Sequence, residues 1–232
     1  MWIFASPKNY SEMLKKIATT MFFISLIIIT ILSHTIKDIS SFMKIISFGL
    51  KHEYGGFKLY ISYFYFPLLF ALGENIFKIH DKVSDLFGIR YRFDKNIIIA
   101  TLLKEIKQSK KLKKVNKLNR DSIMRVIFYK YASSTNPLID RHLIDMALGA
   151  WSWYWIIMDT LLCVITLGVI WLFFSFSWLA CLVLIGIIIT CWLIMYIIKK
   201  FQCREYALQE VQAILQLQNS RSEIKRYLSD AL

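Results

Sequence analysis

The chain has 232 residues, 56% of them hydrophobic, and its 29 lysines and arginines exceed its 16 acidic residues enough to give a formal charge of +13. Soluble globular proteins seldom combine so large an apolar fraction with so large a basic excess, whereas membrane proteins with basic cytoplasmic loops regularly do. The four cysteines form no CxxC pair, which argues against a zinc site and against a disulfide framework.

The N-terminal part begins with a polar lead that ends in two lysines and continues as an apolar run over residues 17–36. This run is longer than a secretory h-region and has no small-x-small cleavage site, so we interpret it as a retained membrane helix and not as a cleaved signal peptide. In residues 37–56, apolar side chains recur at helical spacing with lysines on the other side. The pattern predicts an amphipathic helix, on a membrane surface or packed within the protein, that ends at Gly55-Gly56.

A second apolar run covers residues 57–73 and is rich in tyrosine and phenylalanine. It is short for a complete span, and Pro67 in its middle would kink a helix. We favour a transmembrane helix here over a re-entrant or interfacial segment. The choice decides whether the chain has three or four transmembrane helices.

The most apolar stretch extends from Trp151 to Ile198. A turn-like break at residues 174–177 separates a first run, whose one charge is Asp159, from a second run that carries no charge. Each run is long enough to cross a ~30 Å hydrocarbon core as a helix. Because the backbone must satisfy its own hydrogen bonds in lipid, the two runs are predicted to form a tight antiparallel helical hairpin.

Lysine and arginine counts orient these spans. With four spans and both termini in the cytoplasm, 25 of the 29 basic residues are cytoplasmic, and with three spans the ratio is 26 to 3. The positive-inside rule therefore assigns residues 78–146 and the C-terminal tail to the cytoplasm in both topologies. It does not decide the N-terminus, which we place inside because Lys15-Lys16 adjoins the first helix.

The cytoplasmic segment is predicted to be helical in pieces. Residues 76–93 form a helix that stops near Gly88, and residues 95–118 form a long basic helix. Asn119-Arg120-Asp121 breaks that helix and caps a short one that ends at Tyr131.

Two more helix starts follow. Residues 133–137 place a capping side chain before a proline, which predicts a helix that runs without a break to Phe174. After the last apolar run the helix continues over residues 205–218, and Ser220 with Glu223 matches a capping box that starts a final helix.

The predicted fold class is therefore all-α, a helical membrane protein with three or four transmembrane helices and a helical cytoplasmic part. Its regions are an N-terminal membrane anchor with an interfacial helix (1–73), a basic helical cytoplasmic segment (74–147), a transmembrane hairpin (148–200) and cytoplasmic C-terminal helices (201–232).

Asp159 is the first candidate for chemistry, because an ionisable side chain at membrane depth is costly and marks a functional site by default. We favour the alternative that it lies at the headgroup level beside three tryptophans and pairs with a basic residue. No other acid lies deep in an apolar run, so a proton relay or an ion-coupled transporter has little sequence support.

Two clusters combine histidine with acids, one at His80, Asp81 and Asp85 and one at residues 140–145. Such groups bind metals or perform acid–base catalysis in other proteins. Their spacing matches no HExxH, Walker, GxSxG or CxxC motif, so ion pairing between helices explains them better. We predict no enzyme activity, no metal site and no cofactor.

A dense run of basic residues is a stronger indication of a binding function than these two clusters. Eight basic side chains lie between positions 104 and 120 and are opposed by Glu105 alone. Their partner is acidic lipid, nucleic acid or an acidic protein, unless they form a solvated face retained for topology. The predicted partner-binding or anion-binding residues are Lys104, Lys107, Lys110, Lys111, Lys113, Lys114, Lys117 and Arg120. Small residues at Gly168, Gly186 and Thr190 suit close helix packing, and self-association would be needed to enclose an aqueous path.

Residues 77–82 (FKIHDK) and 85–94 (DLFGIRYRFD), together with the order of anchor, basic helices and hairpin, resemble small multi-pass membrane proteins of bacterial phage-defence loci. The nearest is a retron-type membrane effector, and a Kiwa-type membrane sensor is related. This resemblance implies a toxin that a reverse transcriptase and its RNA–DNA product (msDNA) hold inactive and then release to damage the inner membrane. It carries over no catalytic residues.

The leading prediction is thus an inner-membrane effector of an anti-phage, abortive-infection system that permeabilises or depolarises the bacterial inner membrane, as a homo-oligomer when active. Its partners are membrane lipids and the msDNA complex or another anionic regulator. The alternatives are a membrane scaffold or sensor that anchors a cytosolic partner, and a small channel or transporter component.

Overall fold

The computed structural model describes residues 5–35, 51–54, 57–174 and 176–232. The α-helices in chain order are α1 (Tyr10–Thr35), α2 (Tyr65–Leu72), α3 (Ile79–Leu86), α4 (Ile89–Phe93), α5 (Ala100–Glu105), α6 (Lys117–Ile123), α7 (Tyr129–Tyr131), α8 (Arg141–Phe174), α9 (Trp178–Ile197), α10 (Arg204–Gln216) and α11 (Ser220–Ala231). Two short strands, β1 (Lys51–Tyr54) and β2 (Phe57–Tyr60), precede α2.

Short 3₁₀ and π segments join several of these helices. The 3₁₀ segments are Ile61–Phe64 and Ser109–Lys114, and the π segments are Gly73–Phe77, Asp94–Ile99, Met124–Phe128 and Ile198–Cys203. Since the joining residues keep right-handed helical backbone angles, residues 61–77, 89–105, 117–131 and 178–216 each form one continuous helical rod.

Among the described residues, three helices are long and apolar enough to cross a membrane, over Tyr10–His34, Arg141–Leu172 and Cys181–Gln216. Helix α8 has 34 residues and is therefore ~51 Å long, well beyond the ~30 Å of a hydrocarbon core. Both hairpin helices are longer than a hydrocarbon core requires, since the rod of residues 178–216 also continues past the apolar run. These extensions pack with α3–α7 and α11, and we call this assembly the helical module.

The hairpin of α8 and α9 is closely packed, as its sequence predicted. A Cβ added at Gly168 of α8 would lie 2.6 Å from Leu184 Cδ1 of α9, so a larger residue would require the Leu184 side chain to move. Gly186, which shares the predicted small-residue motif with Thr190, has no atom within 4 Å of its Cβ position and faces away from α8.

Helix α1 lies against α8 and begins at the same end. The Lys16 ammonium is 4.8 Å from the Trp153 ring, and Thr160 Oγ1 is 3.5 Å from Met21 Sδ. The N-terminal end of α1 is therefore on the side of the helical module, as the preferred topology requires.

The run at residues 57–73 is not the single transmembrane helix that we favoured. Its first four residues are a strand, and the helical rod that follows, residues 61–77, is too short to cross a ~30 Å core alone. The Phe64 ring, near the start of this rod, lies 6.4 Å from the ring of Phe22, which is early in α1. The rod thus packs beside the first part of α1, and Lys78, which follows it, lies against the Tyr10 ring at the module end of α1.

The predicted amphipathic helix is wrong for residues 51–54. They form β1, which pairs antiparallel with β2 so that Lys51 opposes Tyr60 and Tyr54 opposes Phe57. The rest of that prediction, residues 37–50, lies outside the described residues.

The predicted long basic helix is also wrong. It ends at Glu105, because Lys107 adopts a left-handed conformation with φ 61°, and a 3₁₀ segment follows. The next helix is capped earlier than predicted, where Asn116 Oδ1 accepts a hydrogen bond from Asn119 N at 2.8 Å.

Helix α8 likewise starts at Arg141, a few residues after the start predicted at residues 133–137. Its capping acceptor is Asp140, whose Oδ1 receives the His142 N–H at 2.9 Å. The break at Gly88, which has φ 60°, is confirmed.

Helix α11 starts at Ser220 as predicted, but not through a capping box. The Ser220 hydroxyl donates to Ile214 O (2.6 Å), and Glu223 instead pairs with Lys130 and accepts the Tyr131 hydroxyl at 2.7 Å. The hydrogen bond from Lys130 is the main cause that lowers the pKa of Glu223, while burial and the bond to Glu223 raise the pKa of Tyr131 to about 12.

The core of the module holds this arrangement together. Eight of its side chains are at most 1% exposed, and each contributes about 1.5–3 kcal/mol through apolar burial. They are Ile99, Leu102, Leu103, Ile123, Val211, Ile214, Ile224 and Leu228.

Candidate functional site

A sharp turn brings Glu74 and His80 together. Glu74 belongs to the π segment that ends the rod of residues 61–77, and Lys78 (φ 48°) then turns the chain into α3. A left-handed residue other than glycine costs ~1–2 kcal/mol, so this turn needs support from the surrounding contacts. It places His80 Nδ1 3.0 Å from Glu74 Oε2.

Asp159 of α8 joins this pair from the neighbouring helix. Glu74, His80 and Asp159 are each 0% exposed, and their ligand-type atoms all lie within 4.8 Å of one another. The Trp155 ring covers the histidine at 5.7 Å between ring centres. We call these three residues the buried triad.

The triad lies inside the apolar part of the bundle. Asp159 is six residues beyond Trp153, which faces Lys16, and this corresponds to ~9 Å along α8. Thr160, the next residue, contacts Met21 at a similar depth on α1. The carboxylate is therefore one to two turns within the segment that would be in the membrane, and it is enclosed by protein.

The electrostatics of the triad are unbalanced. Both oxygens of Asp159 and Oε1 of Glu74 have no hydrogen-bond partner among the described residues. A protonated His80 would neutralise one carboxylate but not two. Because an isolated buried carboxylate costs several kcal/mol, the second one requires a cation or a proton.

Within the described part of the chain, Asp159 forms no ion pair with a lysine or arginine, in contrast to the pairing that we favoured. Its neighbours are another acid and a histidine. Glu74 was missed because it follows an apolar run and belongs to no motif. The whole central segment separates it from Asp159 along the chain, so only the fold brings the two acids together.

A polar contact set leads from the triad to the helical module. His80 Nε2 lies 3.4 Å from the Tyr10 hydroxyl and 3.6 Å from Asp81 Oδ1. Tyr10 donates a hydrogen bond to Asp81, and Arg90 Nη1 lies 3.5 Å from the same carboxylate. This set orients the histidine from the side opposite to Glu74.

Tyr10, Asp81 and Arg90 line a cavity of about 460 Å³ between α1, α8, α10 and the rods of residues 89–105 and 117–131. Aromatic rings form much of its wall, including Trp151 and Trp155. Its charged and phenolic lining residues are Tyr10, Lys78, Asp81, Arg90, Asp94, Tyr129 and Glu210.

The predicted basic residues divide into two groups. Lys111 donates to the carbonyls of Leu228 and Ser229, and Arg120 bonds Asp94 Oδ2 with its Nε at 2.9 Å, so both hold the module together. The other six form an exposed surface, which we call the basic surface: Lys104, Lys107, Lys110, Lys113, Lys114 and Lys117.

In the second acid–histidine cluster, Asp140 has a structural role, and Asp145 Oδ1 is buried without a hydrogen-bond partner among the described residues. Asp140 caps α8, and His142 and Arg141 are exposed. Asp85, predicted beside His80, is exposed on α3 and takes no part in the triad.

Comparisons with known proteins place the chain in one group. A family model described as the YmfE protein family matches residues 9–229. A protein of Escherichia coli (strain K12), named "Uncharacterized protein YmfE", is 26% identical over 163 residues, which cover 68% of this chain and 67% of that protein. No solved structure matches.

Proposed function

We propose that this chain, which belongs to the YmfE protein family, is a cation-handling protein of a bacterial inner membrane. In this proposal the buried triad receives a cation or proton from the cytoplasmic side and passes it into the bundle. The topology follows from the basic excess of the module, which the positive-inside rule assigns to the cytoplasm.

The burial of the triad supports this proposal most directly. Two carboxylates and a histidine are fully buried within 4.8 Å of one another, at a depth where ionisable groups are retained mainly for function. A group with a purely structural role would have its hydrogen bonds satisfied, and Asp159 has none among the described residues.

The surroundings offer a route toward the module, where Asp81 and Tyr10 connect the triad to the cavity. On α1 the hydroxyl of Thr20 is also buried, and it has no hydrogen-bond partner in the part of the chain that the structure describes. These groups are what a proton or a partly hydrated cation requires in a span.

Flux into proteoliposomes tests this function. Purified protein is reconstituted, and the uptake of protons, Na⁺, K⁺ and divalent cations is followed with dyes inside the vesicles. We expect uptake of at least one cation above that of protein-free vesicles, abolished by Asp159→Asn and retained in Asp85→Asn, an exposed control with the same change of charge. Wild-type vesicles that take up none of these cations would refute the proposal.

A second candidate is the membrane-permeabilising effector of an anti-phage system, and the surface of α9 favours it. This helix is exposed over most of its length, and Gly186 has nothing near it, so a second copy of the chain fits there. The basic surface would then dock the anionic regulator, such as a reverse transcriptase with its RNA–DNA product. The connection with phage defence rests on the resemblance of residues 77–94.

Induced expression separates this candidate from the scaffold alternative. The effector predicts loss of membrane potential and growth arrest when the protein is made without its neighbouring genes. A stable cytosolic partner in a detergent pull-down, with unchanged potential and growth, identifies a scaffold or sensor instead.

A further inference from the structure

We propose that Glu74, His80 and Asp159 bind a first-row divalent metal ion, with Zn²⁺ as the best match. The inference rests on the proposed cation-handling function for its physiological role and deepens it by naming the ion. It replaces the sequence-based expectation of no metal site, which considered His80 only with acids adjacent in sequence.

The kinds of ligand select the ion. Two carboxylates and one imidazole are typical ligands of Zn²⁺ and of neighbouring transition metals, whereas Ca²⁺ and Mg²⁺ prefer oxygen ligands alone. Two carboxylates also balance the charge of a divalent ion with a neutral histidine. A buried site then carries no net charge, which removes the electrostatic imbalance of the three side chains by themselves.

The spacing also suits a metal ion. The ligand atoms lie within 4.8 Å of one another, and Asp159 accepts no hydrogen bond from a described residue, so both of its oxygens are available to an ion between the ligands. Tetrahedral ligands at 2.0–2.1 Å from Zn²⁺ are about 3.4 Å apart. Side-chain rotations that move ligand atoms by roughly 1 Å would close the site.

The contacts around His80 provide independent support. In most metal sites the second ring nitrogen of a histidine ligand faces a carboxylate, which fixes the ring and raises its basicity. Here Nδ1 faces the triad, while Nε2 faces Asp81, 3.6 Å away, and Asp81 is itself held by Tyr10 and Arg90. The fourth metal position remains for water.

Direct binding to the purified full chain tests the site. Protein in detergent is freed of metal with a chelator and titrated with Zn²⁺ by calorimetry and with Co²⁺ by visible absorption. We expect one ion per chain and Co²⁺ bands of a low-coordinate site without a thiolate charge-transfer band.

The variants locate the site. Asp159→Asn and Glu74→Gln should weaken binding roughly 100-fold or more, and Asp81→Asn about tenfold through the orientation of His80. Asp85→Asn and a variant with all four cysteines changed to alanine should bind as the wild type does. Melting curves of each variant exclude misfolding, and the Asp81 variant keeps the test informative if a triad variant fails to fold.

The outcomes also separate this inference from the proposed function. No saturable binding by the wild type, or equal binding by Asp159→Asn, would overturn the metal site, even if proton flux is observed. Binding that the triad variants lose, without any cation flux, would support the site and refute the transport function.

Discussion

Replacing Asp159 with asparagine should make the metal-free protein more stable, which is the opposite of what most core substitutions do. The side chains have nearly the same volume, so packing is unchanged. The substitution removes a buried carboxylate that has no hydrogen-bond donor among the described residues and lies beside a second acid, Glu74. A polar side chain kept at a cost in stability indicates a functional role.

The size of this expected gain in the free energy of unfolding follows from two opposing effects. A buried unpaired carboxylate costs several kcal/mol, which protonation partly relieves. The asparagine amide remains a buried polar group and costs about 1–3 kcal/mol. We expect a net gain of about 1–3 kcal/mol, which for a chain of this size corresponds to an increase in melting temperature of about 2–12 °C.

Scanning fluorimetry in detergent measures the effect, with chelator and then with added Zn²⁺. Asp85→Asn, an exposed control, should melt with the wild type under both conditions. Zn²⁺ should raise the melting temperature of the wild type and leave that of Asp159→Asn unchanged. A chelated Asp159→Asn protein that melts below the wild type would show that Asp159 has a stabilising partner, and the argument for an unbalanced triad would fail.

The other predictions concern the hairpin, the module and its surface. Gly168→Leu should force α8 and α9 apart and lower the free energy of unfolding by about 1–3 kcal/mol, which would lower the melting temperature. Gly186→Leu, on the open face of α9, should melt at the same temperature as the wild type. Equal melting temperatures of the two variants would refute the hairpin packing. Because the pKa of Glu223 is lowered in the fold, its stabilising contribution is complete above the ordinary value of 4.5 and is lost as the pH falls through the lower folded value. Hydrogen exchange in α11 should accelerate in that acidic range, and an equal acceleration in Glu223→Gln would contradict this cause. Three exposed lysines of the basic surface, Lys110, Lys113 and Lys114, can be changed to glutamine. This change should weaken binding to anionic vesicles and reduce the salt dependence of that binding, without affecting membrane insertion. Salt-insensitive binding by the wild type would argue against an electrostatic surface.

Local patterns specified the larger elements of the fold. The length and hydropathy of an apolar run decide whether it can cross a membrane, and both are properties of consecutive residues. The sequence therefore identified α1, α8 and α9, as well as the hairpin turn and the break at Gly88. Extension of the hairpin helices beyond the membrane followed from the same periodicity.

Shorter elements depended on contacts that the sequence does not show. Nothing near Lys107 marks the left-handed backbone that ends the basic helix, and its lysine-rich neighbours suit helix and turn alike. Residues 51–54 form a strand because they pair with residues 57–60, and strand formation depends on such partners more than on local preference. The packing of the rod at residues 61–77 is likewise decided by its contacts with α1.

The sequence by itself determined that the chain is a helical membrane protein with a basic module and an acid within an apolar run. Only the tertiary structure decided what that acid faces. Glu74 and His80 meet because Lys78 reverses the chain, and Asp159 meets them because α8 packs beside that turn. Helical periodicity specifies which residues share a face of one helix, but the distances between side chains of different helices are set by packing, and the candidate site consists of such distances.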